Sequence, residues 1–139
     1  MSGGEKCLKF IDSQENVENF LSAAHRILDS DTFDSRKNFY FIPVRLSGDD
    51  RNKETLLDLN YDTTDVIEEI RQLTVKDYKE TIVDDMPGRK KPFFCFVKFI
   101  VKDQVYIKFK ISEVKDNQVF CVSFHYVDYL VKDSEFPYK

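Results

Sequence analysis

Tyr106, Lys108 and Lys110 stand at alternate positions of one short run, VYIKFKI over 105–111, and Ser123 and His125 do so in a second, VFCVSFH over 119–125. Side chains of a strand point alternately to its two faces. The first run therefore sends Val105, Ile107, Phe109 and Ile111 one way, and a phenol and two ammonium groups the other. If the second run returns as a hairpin, Phe120, Val122 and Phe124 extend the apolar face, while Cys121, Ser123 and His125 join the polar one. A phenol, two amines, a hydroxyl and an imidazole on one patch of sheet can hold a phosphate and move protons beside it. Any half-wetted antiparallel sheet shows the same alternation, which alone does not separate a reactive face from a wet one.

One reaction that holds a phosphate and moves protons beside it, and the one implied by the family resemblance described below, is metal-free cleavage of RNA. That reaction needs a base for the 2′-hydroxyl proton, a cation where charge builds on phosphorus, and an acid for the leaving 5′-oxygen. Lys108 and Lys110 lie two positions apart and reach one RNA backbone, Lys110 binding it and Lys108 stabilising the transition state. Tyr106 and His125 are the candidate acid and base. The imidazole has the better intrinsic pKa, ~6.5, so His125 is expected to be the base.

The elements that must position these groups are legible in outline. Ser13 caps an amphipathic helix over 13–29, with Val17, Phe20, Leu21, Ala24 and Leu28 at helical spacing. His25 lies within it as a helix-surface residue. FYFIPVR over 39–45 reads as a strand that Pro43 confines to an edge or a bulge. A turn of helix over 54–59 follows, then a helix over 63–73 capped by Asp62, with Val66, Ile67, Ile70 and Leu73 as its buried stripe. Thr74 and Asp77 approximate a capping box, predicting a third helix over 75–82 whose last turn holds Lys79. The loop DDMPGRKKP places Arg89, Lys90 and Lys91 directly before the sheet, where they and Lys98 are candidate RNA-binding cations. Strands are predicted over 93–101, 105–111 and 119–125, the first apolar enough to be central.

These elements amount to a single α+β domain over 1–139, with N-terminal helices packed on one face of an antiparallel sheet that ends in a three-stranded meander. Its parts are a helix and edge strand in 1–50, a helical segment in 51–85 and the sheet in 92–139. With 42% hydrophobic residues and only four glycines and four prolines among 139, the chain has the composition of a globular domain, not a disordered one. Three cysteines, Cys7, Cys95 and Cys121, form no CxxC and leave an odd count, as expected of reduced thiols in a cytoplasmic protein. No apolar run approaches membrane-spanning length. No metal-ligand spacing, Gly-rich phosphate loop or nucleophile elbow occurs, so neither metal nor cofactor is expected. Charge is uneven: residues 1–87 carry 11 Lys and Arg against 19 Asp and Glu, a net −8, and residues 88–139 carry 10 against 6, a net +4. An acidic helical part joined to a basic sheet part suits a protein with one surface for a polyanion.

In order along the chain stand Leu59-Asn60-Tyr61, Leu73-Thr74-Val75-Lys76-Asp77-Tyr78, Tyr106-Ile107-Lys108-Phe109-Lys110-Ile111, Ser123-Phe124-His125 and Pro137-Tyr138-Lys139. This series resembles the MqsR-like toxins of type II toxin-antitoxin systems, small ribonucleases related in fold to RelE. The resemblance covers roughly the last 80 residues well and the first 50 loosely, and Asn60 stands where that family favours glycine. It implies a RelE/MqsR-like fold, a metal-independent mRNA interferase acting on free or ribosome-associated mRNA, and a cognate antitoxin as partner. It also implies a catalytic tyrosine at Tyr106 and a catalytic lysine most nearly at Lys79, although strict register puts Glu80 at the lysine's place. That glutamate and the acidic first part support an alternative: a non-catalytic acidic protein from a phage or plasmid that keeps the fold and covers the basic groove of a host nucleic-acid enzyme.

Overall fold

The computed structural model describes residues 7–44, 47–84, 91–115 and 117–139, so Arg89 and Lys90 lie outside the described residues. Six strands, β1 (Cys7–Phe10), β2 (Phe39–Phe41), β3 (Tyr78–Asp84), β4 (Phe93–Ile100), β5 (Asp103–Ile111) and β6 (Val119–Tyr126), form one sheet in the order β1-β3-β4-β5-β6-β2. Three helices, α1 (Gln14–Leu28), α2 (Arg51–Leu59) and α3 (Thr63–Arg71), accompany it. The architecture is α+β. All neighbouring strands are antiparallel except β2, which runs parallel to β6.

Helix α1 starts where Ser13 accepts the Asn16 N–H at 3.1 Å, and its Val17, Leu21, Ala24 and Leu28 are buried at a period of three to four. Helix α3 starts at a full capping box between Asp62 and Asp65 and buries Val66, Ile67 and Ile70. Both stripes close on one sheet face, meeting Phe94 and Phe96 of β4, Val105, Ile107 and Phe109 of β5, and Val119, Cys121 and Phe124 of β6. His25 joins the two helices, its Nε2 donating to the Ile70 carbonyl at 2.9 Å. Asn60 ends α2 in the left-handed conformation, φ 57°, which asparagine tolerates well.

Two expectations are corrected here. The capping box at Thr74 and Asp77 forms, but it opens only a single 3-10 turn over Val75–Asp77, and the chain then extends into β3. Tyr78 is drawn wholly into the core and the β-branched Thr81, Ile82 and Val83 suit a pleated strand better than a helix. Lys79 is thus a strand residue. The meander accordingly has four strands, β3 to β6, widened by β1 at one edge and β2 at the other. The strand expected over 39–45 ends at Phe41, and Pro43 stands two residues beyond it, where no sheet partner needs its missing N–H.

The second correction concerns β6. Lys108 pairs with Ser123 but Phe109 pairs with Cys121, so Val122 is an extra residue in the ladder. That bulge reverses the alternation: Cys121 joins the core and Phe120 moves to the face of Lys110.

Candidate active site

Beyond the bulge the expected grouping is present. Tyr106 lies opposite His125, and Lys108 opposite Ser123, on the sheet face away from the one that α1 and α3 cover. The Tyr106 and His125 rings are tilted with centroids 5.6 Å apart. On the other side of β5, Lys108 pairs with Cys95 and Tyr106 with Val97. The irregular register between Tyr78 and Glu80 then brings Glu80 beside Cys95. The Tyr106 hydroxyl donates to Cys95 Sγ at 3.0 Å, and Lys79 Nζ bonds Glu80 Oε1 at 3.1 Å. Glu80, Tyr106 and Lys108 therefore adjoin Cys95, and Lys79 joins them through its ion pair with Glu80.

Each group's state follows from its surroundings. Burial pushes the Cys95 thiol up to about 12, with the Tyr106 hydrogen bond opposing, so it stays protonated and unreactive. Cys121, inside the core, is also raised to about 12 by burial. His125 is 9% exposed, and burial lowers its pKa below the ordinary value, chiefly against the pull of the Tyr126 carbonyl. That carbonyl lies 2.9 Å from Nδ1 and can only accept, so Nδ1 carries the proton and Nε2 of the neutral ring keeps its lone pair. Nearby, Arg51 bridges Asp49 at 2.9 Å and Asp128 at 3.2 Å. The Arg51 guanidinium holds Asp49 down to about 2.

The candidate RNA-binding cations do not all join this face. Lys110 does, but it is 6% exposed, forms an ion pair with Glu113, and lies 4.6 Å from the Phe93 ring centroid, near which Lys108 Nζ also lies at 5.0 Å. Lys98 points to the helix side, held by Glu69 at 2.8 Å and Gln72 at 3.0 Å. Lys91 donates to the Ser112 carbonyl at 3.3 Å and lines a cavity of about 680 Å³ with Arg26 and Ile27 of α1, away from Tyr106. One member of the constellation, Cys95, carries no sequence signal as a site residue, whereas Glu80 stands out in the sequence as the residue at the place of the family's lysine. Glu80 is held by Lys9 at 3.8 Å as well as by Lys79.

Among the described residues no group of three or more His, Cys, Asp or Glu is placed to hold a metal ion, and no helix is long and apolar enough to cross a membrane. No family model, curated protein or solved structure matches the chain.

Proposed function

We propose that this protein is a metal-independent endoribonuclease of the MqsR-like toxin kind, with the RelE-related fold, which cleaves mRNA in the cytoplasm and is held in check by a cognate antitoxin. The observation that carries the reading is the meeting of Tyr106, His125, Lys108 and Lys79 on one sheet face not covered by α1 and α3. His125 Nε2 takes the 2′-hydroxyl proton, and the freed oxygen attacks the adjacent phosphorus. Lys108 and Lys79 offset the charge that builds there. Tyr106 gives its proton to the departing 5′-oxygen, leaving a 2′,3′-cyclic phosphate on one product and a 5′-hydroxyl on the other.

The test is incubation of purified protein with single-stranded RNA in EDTA. The wild type is expected to cut, and Lys108→Ala, Tyr106→Phe and His125→Ala each to lose about two orders of magnitude or more. Undiminished cutting by His125→Ala removes the base assignment, and intact RNA after wild-type incubation overturns the enzyme.

Glu80 favours the second reading, a non-catalytic acidic protein that occupies the basic groove of a host nucleic-acid enzyme. Its carboxylate engages both Lys9 and Lys79 within the patch and repels phosphate. Bacterial expression separates the two: growth arrest relieved by Lys108→Ala belongs to the nuclease, and harmless expression with tight capture of one host nucleic-acid enzyme belongs to the inhibitor.

A further inference from the structure

The bulge at Val122 has a consequence further along the same face. By turning Phe120 out of the core, it sets that ring between Tyr40 of β2 and Phe93 of β4, stacked on Tyr40 with centroids 5.5 Å apart and tilted against Phe93 at 6.1 Å. The resulting groove, about 290 Å³, is bounded by Tyr40, Phe120, Lys110, Ser112, Glu113 and Gln118. Tyr40 is 55% exposed although it is a large aromatic side chain. At the groove floor the Lys110–Glu113 ion pair supplies a donor and an acceptor side by side, within a wall that is otherwise mostly apolar.

The geometry points to a subsite for one unpaired nucleobase of single-stranded RNA, stacked on Tyr40 and Phe120 with its edge read by Lys110 and Glu113. This rests on the nuclease reading and extends it from the reacting phosphate to the neighbouring nucleotide. Three features select this occupant. The volume lies at the small end of ligand pockets, with room for a single base. Exposed aromatic rings are the usual platform for unpaired bases, and a base presents donors and acceptors only at its edge, where the ion pair stands. Lys108 lies two residues before Lys110 on β5, a step of ~7 Å, so one RNA chain can place a base in the groove and the adjoining phosphate at Lys108 and Tyr106. A base in a duplex, already stacked and paired, cannot enter.

The experiment measures binding of a 5′-labelled single-stranded RNA 10-mer by fluorescence anisotropy in EDTA, with the same sequence as a duplex for comparison. The four homopolymers are then used as competitors. Wild type is expected to prefer the single strand and to rank the homopolymers unequally. Tyr40→Ala should weaken binding about tenfold or more, and Tyr40→Trp should retain it. Lys110→Met should flatten the ranking. Tyr40 is half exposed, so these variants do not threaten the fold, and thermal melts verify that. Single-strand binding that is unchanged in Tyr40→Ala overturns the subsite and leaves the nuclease standing. Tyr40-dependent binding without cleavage supports the subsite and overturns the nuclease. Equal affinity for duplex and single strand, or no RNA binding, overturns the subsite.

Discussion

His125 illustrates how a single side chain's setting can be read as both chemistry and stability. Its lowered pKa comes from burial, so the folded protein binds a proton there less readily than the unfolded chain does. Between the folded value and the unfolded one of ~6.5, the unfolded state holds the extra proton and stability rises with pH. The contribution of the neutral ring is therefore complete above about pH 6.5 and is lost as the pH falls toward the folded value. Urea unfolding at pH 7.5 and 5.5 should show the wild type losing more stability on acidification than His125→Gln does. A gap between the two proteins that stays constant over that range refutes the linkage. Activity should hold through most of that window and fall only as the pH reaches the lowered folded value, because the base must be unprotonated in the folded enzyme to accept the 2′-hydroxyl proton.

At the scale of elements, α2 solves a problem that β6 creates. The edge strand β2 pairs with β6 only from Phe39 to Phe41, leaving the rest of the β6 edge without a strand. Asn52 of α2 fills the gap: its Nδ2 donates to the carbonyls of Ile42 at 2.7 Å and Val122 at 2.9 Å, while its Oδ1 accepts the Phe124 N–H at 2.9 Å. Thr55 Oγ1 accepts the Tyr126 N–H one turn later, at 3.2 Å. A side chain here stands in for a strand and also pins the bulge that aims Phe120. Asn52→Ala leaves several buried backbone groups unpaired, and with each such group costing about 1–3 kcal/mol, a loss of about 3 kcal/mol is expected in urea unfolding. A loss below about 1 kcal/mol would mean that water replaces the amide. None of this was legible in the sequence, where Asn52 ends a polar loop, LSGDDRN, ahead of the helical turn predicted over 54–59. Strong periodicity was legible: the stripes of α1 and α3, their caps at Ser13 and Asp62, and the alternation of β5 all stand as expected. Residues 78–82 read as helix because Lys79 and Glu80 follow a genuine capping box, but the pull of the core on Tyr78 outweighs that local signal and the chain extends as a strand. The bulge escaped because it depends on the pairing of β6 with β5 and α2, which no local pattern encodes.

On the nuclease reading, charge and topology together decide how strongly the whole molecule would hold RNA. The net charge is −4, so long-range attraction does not draw a polyanion in, and binding relies on the few cations of one face. The sheet sorts these cations sharply. Lys108 and Lys79 lie beside Cys95, Lys110 is committed to Glu113, and Lys98 is anchored to α3 on the opposite face. The C-terminal residues reinforce the covered side: Tyr138 stacks on Tyr78 with centroids 5.8 Å apart and donates its hydroxyl to the Asp12 carbonyl, tying the end of the chain to the start of α1. Each phosphate neutralised on a single strand contributes ~0.7 to the slope of log affinity against log salt. Two cations in contact therefore predict a shallow slope of about −1.4, with Lys108→Ala lowering its magnitude by ~0.7 and Lys98→Ala leaving it unchanged. Titrations of single-stranded RNA binding from 50 to 200 mM salt, on the order of those used for other nucleic-acid proteins, read both quantities. A slope lowered by Lys98→Ala but not by Lys108→Ala would place the RNA on the helix side and exclude the Tyr106 face as its binding surface, because Lys98 and Lys108 are separated by the sheet itself.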